Sequence, residues 1–419
     1  MNQQTLLHSL FDESVRVADP MICVPAHLPP KPDGKLLVIG AGKASARMGE
    51  ALESVWGQDG SMCEGLIITR YGYERSLQGI TLKSASHPVP DEAGLLATRE
   101  LRALLEQADQ DTFILALISG GGSSLMIDPA GEMTLADKMA VNAALLASGA
   151  PIDEMNVVRK HLSRIKGGQL AAAAYPAALH ALMISDVPGD DPAYIASGPT
   201  VGDSSTPADA LAIIARYAID LPASAKAVLD GKTGVISPGD ERLSTTTNTI
   251  IAAPSQSLDA AKKIAEAKGI DVSILGDALE GEARDLAREQ AALALKLRSE
   301  ISQPHLLLSG GECTVTRTGD GVGGPNAEYA LSLAIALNGA AGIHALACDT
   351  DGVDGAAEVA GAMVTPNTLA KARAKNIDPQ ASLTDNDAHN FFASIGDQVI
   401  TGPTLTNVND FRAILIEPT

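Results

Sequence analysis

The chain has 419 residues, 45% hydrophobic and 20% charged, with a formal net charge of −20. That length allows two domains, each with its own core. The charge argues against nucleic acid as a partner. No apolar run is long enough to span a bilayer, so no membrane role is expected. The opening Met1-Asn-Gln-Gln-Thr-Leu-Leu-His lacks a basic stretch leading into an apolar one, so no secretory signal is expected. The four cysteines, Cys23, Cys63, Cys313 and Cys348, match no zinc or redox spacing. Reduced thiols in a cytoplasmic protein are the simplest expectation.

Residues 1–30 read as a helical lead-in closed by a proline-rich turn. Strands and helices then alternate: strands over 35–39, 65–69, 113–118 and 179–184, and helices over 43–53, 94–107, 135–148 and 152–174. Such alternation predicts an α/β domain with a parallel sheet covered on both faces. The turn-rich stretch near 231–239 marks a boundary, giving domains over 1–235 and 240–419. Beyond it we expect strands over 249–253, 271–275, 305–308, 341–348 and 412–416, and helices over 258–267 and 280–299.

The chain is organised around the apolar run 113–118, which ends in Ser119-Gly120-Gly121-Gly122-Ser123-Ser124. A buried strand, a glycine turn and a helix N-terminus aim backbone N–H groups at one point, which suits an anion. Ser309-Gly310-Gly311-Glu312 repeats the pattern downstream. In so acidic a chain, an anion site needs local cations to overcome the long-range field.

Two stretches supply them. Gly40-Ala-Gly42-Lys43-Ala-Ser45 follows a strand and opens a helix, which places Lys43 to hold a phosphoryl group. It is not a dinucleotide fingerprint, because Ser45 stands where the third glycine belongs. It is not a P-loop, because Leu37 and Ala44 occupy required positions. The densest basic stretch runs through Asn156, Arg159, Lys160, His161, Ser163, Arg164 and Lys166 to a Gly-Gly pair expected to cap the helix. On a continuous helix, Asn156, Lys160 and Ser163 share one face, and Arg159, Ser163 and Lys166 the next. Asp186 and Asp190, then Ser197 and Gly198, follow another strand, where open sheets bind ligands. Asp349-Thr350-Asp351-Gly352 follows a strand too, but its glycine comes too early for a calcium loop. His389 alone among the histidines lies in a polar cluster. No hydrolase elbow or zinc motif is present.

Read together, Val38-Ile-Gly-Ala-Gly-Lys-Ala-Ser45, the Ser119 to Ser124 run, Asn156-Val-Val-Arg-Lys-His-Leu-Ser163, Ser185-Asp-Val-Pro-Gly-Asp190, Ser197-Gly-Pro-Thr200, Ser309-Gly-Gly-Glu312, Gly323-Gly-Pro-Asn326 and Asp349-Thr-Asp-Gly352 stand in family order. The chain resembles the glycerate 2-kinases whose C-terminal part is called the MOFRL domain, from about residue 35 onward. The resemblance implies a Rossmann-like N-terminal α/β domain, a C-terminal α/β domain of MOFRL type, and an active site in the cleft between domains. It implies ATP- and Mg²⁺-dependent phosphorylation of D-glycerate at its 2-hydroxyl. Members have been labelled hydroxypyruvate reductases, so an NAD(P)H-dependent reductase is the alternative, and a non-catalytic sensor of sugar acids is a third reading. A monomer or homodimer is expected.

On this resemblance we expect Lys43 to contact the transferring phosphate, and residues 119–124 to cradle an anion, with Asn156 and Lys166 beside it. Lys160 or Arg164 is expected to hold the glycerate carboxylate. Asp186 is expected to bind Mg²⁺ or act as base, with Asp351 as rival metal ligand. Ser197, Gly198, Glu312, Asn326 and Asp349 are expected on the nucleotide side. Pro325 departs from a Gly-Gly-Arg-Asn pattern seen in members, which throws more of the charge onto Lys43 and residues 159–166.

Overall fold

The computed structural model describes residues 2–418 except Asp59, Ser61 and Ala356. The chain forms two compact units: Pro20–Ser185 with Asp190–Ile251, and Met1–Asp19 with Asp186–Gly189 and Ala252–Thr419.

The N-terminal unit holds six strands: β1 (Lys35–Ala41), β2 (Gly65–Arg70), β3 (Ile80–Ala85), β4 (Thr112–Ile118), β5 (Ala178–Ile184) and β6 (Thr246–Ala252). They lie in the order β3-β2-β1-β4-β5-β6, and β3, β2, β1, β4 and β5 pair in parallel. β4 is buried along nearly its whole length, as a strand covered on both faces must be. β1 and β4 run side by side from Lys35 opposite Thr112 to Ala41 opposite Ile118. Their carboxyl ends therefore deliver two glycine turns, at Gly42 and at Gly120, next to each other.

Two expectations change here. The strand expected to open the second domain is β6, which closes the edge of the first sheet beside β5. The helix expected over 152–174 is two: Ile152–His161 and Gln169–Ala174. Between them, Ser163 forms an antiparallel bridge with Pro129, and Gly167 and Gly168 adopt φ of 59° and 78°. The Gly-Gly pair thus leads into the second helix rather than capping the first. β3 went unread because its Ile-Thr-Leu-Lys-Ser-Ala sequence is that of a half-polar edge.

The C-terminal unit adds β7 (Asp271–Gly276), β8 (Gly281–Glu282), β9 (His305–Ser309), β10 (Cys313–Thr314), β11 (Ile343–Asp349), β12 (Gly361–Val364), β13 (Gln398–Val399) and β14 (Asp410–Ile416). Its main sheet runs β13-β12-β11-β14-β9-β7 and is mixed: only β7 and β9 pair in parallel. The helices Ala283–Glu300 and Pro325–Leu337 contribute to one core. Leu6, Leu7, Leu10 and Phe11 of the first helix join Leu258, Leu306 and Phe411 in the other. The lead-in helix Gln3–Val17 therefore belongs to this unit, because its apolar stripe is buried there.

Candidate functional site

At the carboxyl ends of β1 and β4 the two glycine turns interlock. The Lys43 N–H donates to Gly120 O at 2.8 Å. The Ala44 N–H donates to Ser119 Oγ at 3.0 Å, and Ser45 Oγ to Leu117 O at 2.9 Å. Gly42 has φ of +145°, and a Cβ there would lie 2.1 Å from Ser119 Oγ, so no other residue fits this approach. The amides of Lys43, Ala44 and Ser45 are all satisfied within the protein. The first turn is therefore not an open cradle for a pyrophosphate.

The second turn differs. Gly121 has φ of +79° and starts the short helix Gly122–Leu125. The N–H groups of Gly120, Gly121 and Ser123 have no acceptor among the described residues. Lys43 runs beside this turn: its Cγ lies 3.3 Å from where a Gly121 Cβ would sit.

Ser123 is held from behind. Lys166 Nζ donates to its carbonyl at 2.7 Å and to its hydroxyl at 2.8 Å. Ser123 Oγ also pairs with Ser197 Oγ at 2.9 Å, and Ser197 Oγ reaches Asn156 Oδ1 at 3.3 Å. Ala196 and Ser197 are held at φ of 51° and 63°, a backbone that non-glycine residues rarely adopt. Ser197, expected with Gly198 beside the nucleotide, braces the glycine turn through its hydroxyl, while the carbonyls of Ser197 and Gly198 accept from Gly167 N–H and Gly168 N–H.

A cleft of about 450 Å³ opens in front of this turn, lined by His87, Gly121, Ser123, Ser124, Lys138, Asn142 and Arg159 among others. Lys138 is only 8% exposed. Neither Lys138 nor Arg159 has a side-chain hydrogen bond or an acidic partner among the described residues, and Arg159 Nε is buried without one. Burial, with repulsion from Arg159, pushes the Lys138 ammonium down to about 8. Burial also lowers the Arg159 guanidinium. Lys166, 1% exposed, is pushed well below the lysine range by burial first, then by Lys138, Arg159 and Lys160. Four basic groups thus converge here in a chain of net charge −20. A larger cleft, about 700 Å³, involves Lys35, Leu36 and Thr112 at the amino ends of β1 and β4. Open α/β sheets bind ligands at the opposite end, so we discount it.

The sequence-expected cations divide. Lys160 and Asn156 share the Ile152–His161 helix, but Ser163 and Lys166 lie beyond its end, so the expected continuous faces do not form. Lys160 Nζ is paired with Asp203 at 2.5 Å and lies 5.3 Å from the Tyr194 ring centre. Arg164 donates to Gly131 O at 2.9 Å and lines a separate cleft with Gly131 and Lys232. Lys138 was not singled out in the sequence, and Arg159 was expected only as part of the basic 159–166 stretch. A signal for Lys138 existed: it lies with Val141 and Leu145 on the buried stripe of the Leu135–Ala147 helix, where a lysine needs a reason.

In the C-terminal unit, Ser309-Gly310-Gly311-Glu312 follows β9. Arg412, fully buried, donates to Gly310 O at 2.9 Å and Gly311 O at 2.8 Å, and pairs with Asp410 at 2.6 Å. Asn326 donates from Nδ2 to Asp410 Oδ1 at 2.6 Å. Asp354 accepts from the N–H groups of Asn326 and Ala327, at 2.9 and 2.8 Å, and so caps the Pro325–Leu337 helix. Pro325 takes the first helical position, where its missing N–H costs nothing. His389 Nε2 lies 3.1 Å from Asp354, so this histidine is built into the cap. Asp349 Oδ1 accepts from Asp351 N–H and Asp351 Oδ1 from Val353 N–H, each at 2.8 Å, turn-forming contacts of short carboxylates. Asp186 is half-buried and steered by Asn407, whose Nδ2 donates to its carboxylate at 3.3 Å, and by Asn409, which donates to its carbonyl at 3.2 Å. No cluster of three metal-ligating side chains exists among the described residues.

The family model described as Domain of unknown function 4147 matches residues 6–230, and that of the MOFRL family matches residues 305–410. A protein of Agrobacterium vitis with the provisional name hydroxypyruvate reductase is 52% identical, over 99% of this chain and 95% of its own. The D-glycerate 2-kinase of Thermotoga maritima is 37% identical, over 97% of each chain. The crystal structure of a glycerate kinase from Thermotoga maritima matches with a TM-score of 0.88 at 36% identity, covering 99% of both chains.

Proposed function

The chain belongs to the MOFRL family of glycerate kinases, and from that premise we propose that it transfers the γ-phosphoryl group of ATP to the 2-hydroxyl of D-glycerate, giving 2-phosphoglycerate and ADP. The observation that carries this reading is the cationic cleft at the Gly120–Gly121–Ser123 turn, an anion site inside an acidic chain.

Phosphoryl transfer asks little covalent chemistry of a protein. It asks for in-line positioning and positive charge around the transferring oxygens. Lys43, beside Gly121, supplies that charge. The amides of Gly120, Gly121 and Ser123 have no acceptor among the described residues and are available to the same anion, and donors fixed in advance are the efficient form of electrostatic stabilisation. Lys166, Ser197 and Asn156 keep the turn in place from behind. The family resemblance assigns Asp186 to the 2-hydroxyl proton or the metal, and Glu312, Asn326 and Asp349 to the nucleotide.

Mg²⁺ fits this residue set. In phosphotransfer sites it is held by one or two carboxylates plus substrate phosphates, so a preformed three-carboxylate cage is not required. Asp186, half-buried, is a better ligand than Asp351, which is 1% exposed. When bound, Mg²⁺ neutralises phosphate charge.

The reductase reading has no seat for its cofactor. The amides of the first glycine turn are consumed by Ser119 and Gly120, and Ser45 fills the third-glycine position. A coupled assay separates the readings. ADP release from D-glycerate with ATP and Mg²⁺, and no NADH or NADPH oxidation with hydroxypyruvate, is expected. Nicotinamide oxidation without ADP release would reverse the assignment, and silence in both assays would favour a sensor.

A further inference from the structure

We propose that Lys138 and Arg159 form the seat for the carboxylate of the acid substrate, with Asn142 taking a hydroxyl of the same molecule. The identity of the acid rests on the kinase reading; the seat itself does not.

Three observations lead here. Lys138 and Arg159 come from different helices, Leu135–Ala147 and Ile152–His161, yet both line the cleft in front of Ser123 and Ser124. Neither has an anionic partner or a hydrogen-bond acceptor among the described residues, whereas Lys160 is neutralised by Asp203. Lys138 is buried and Arg159 half-buried, and desolvated charges are normally paired, because an unpaired one loses hydration with no return. Two unpaired cations side by side repel each other as well. A fold retains that arrangement when something else supplies the negative charge.

The third observation separates a hydroxy acid from a bare anion. Asn142 lines the same cleft, and its Oδ1 is buried with no donor among the described residues. A molecule bearing a carboxylate and a neighbouring hydroxyl satisfies all three groups together. The guanidinium fork and the ammonium take the carboxylate, in charge-assisted bonds. The amide oxygen takes the hydroxyl proton. The turn amides of Gly120 and Gly121 are then left for the transferring phosphoryl, so the two anions have separate seats. This replaces Lys160 and Arg164 as carboxylate ligands.

The test is calorimetric titration of the whole protein with D-glycerate, without nucleotide, for wild type, Lys138→Met and Arg159→Gln. Each variant should weaken glycerate binding roughly tenfold or more, the effect of losing a hydrogen bond to a charged group. The KM for glycerate should rise by a similar factor while the KM for ATP stays within about twofold. Arg159→Lys, which keeps the charge but not the fork, should fall between. Melting curves show which variants are folded. Both neutral variants remove an unpaired, partly desolvated charge, so folding is expected to survive; if one fails, the other and Arg159→Lys still decide. Wild-type glycerate affinity in the folded variants would overturn the proposal. So would weakened competition by inorganic phosphate with glycerate binding unchanged, since the cleft would then be the phosphate seat. Loss of glycerate binding in the variants of a protein that turns over no glycerate would uphold the seat and refute the kinase reading instead.

Discussion

Lys166 Nζ holds Ser123 at two points, its carbonyl at 2.7 Å and its hydroxyl at 2.8 Å. Lys166 is 1% exposed, so its role is to fix the turn proposed to hold the anion. Lys166→Met leaves the Ser123 carbonyl without its donor, at a cost of about 1–3 kcal/mol. Turnover should fall roughly 10- to 100-fold through misplacement of the turn, with little change in ATP affinity. Steady-state kinetics beside thermal melting check both. Normal kcat with lowered stability would reduce Lys166 to a purely structural role.

Lys43 lies on the other side of the same turn. Lys43→Ala should lower kcat by roughly 10²- to 10³-fold, the scale of losing one transition-state charge contact, while ATP binding changes little. Single-turnover kinetics with an independent ATP titration separate the two effects. A near-normal chemical rate removes Lys43 from the mechanism.

Gly121→Ala tests the turn itself. At φ of +79° an alanine is strained by about 1–2 kcal/mol. Its Cβ would meet His87 Cδ2 at 2.9 Å and Lys43 Cγ at 3.3 Å. Both the melting temperature and kcat should drop. A variant with unaltered kcat would show that the turn tolerates displacement and does not aim its amides at the reacting group.

The pH dependence follows from Lys138, lowered to about 8 by burial and by Arg159. A carboxylate pairs only with its charged form. Glycerate affinity should hold below pH 8 and weaken as pH rises through it, and Lys138→Met should lose this inflection. The sign for stability is opposite to that of a paired lysine. The folded pKa lies below the ordinary 10.5, so between pH 8 and 10.5 the unfolded chain binds more protons. Across that window this residue's contribution to stability rises with pH, by up to about 3 kcal/mol. Wild type minus Lys138→Met, in denaturant melts across the range, isolates it. A difference that falls with rising pH would show that Lys138 has a counter-ion.

Much of this was legible in the sequence, for physical reasons that vary by element. β1, β4 and β5 are apolar runs ending in turn residues, and their burial on both faces makes them readable. β3 carries Thr81, Lys83 and Ser84 and does not stand out. The Ile152–Ala174 stretch has helical composition, and the tertiary bridge from Ser163 to Pro129, with the positive φ of Gly167 and Gly168, breaks it. That break turns Lys166 onto Ser123 and leaves Arg164 on another cleft. The glycine turns announced themselves as motifs. Lys138 did not, because one lysine on an apolar helix face becomes meaningful only when Arg159 is found beside the same cleft with no acid to balance either. The Ser309-Gly310-Gly311 echo looked like a second anion loop, but the carbonyls of Gly310 and Gly311 are turned to Arg412.

The most direct test of the central claim is phosphorus NMR of the wild-type reaction with D-glycerate, ATP and Mg²⁺. The account predicts 2-phosphoglycerate appearing in step with ADP, with no phosphorylation of L-glycerate at comparable rate. Accumulation of 3-phosphoglycerate alone, or ADP formation without any phosphorylated acid, would contradict it.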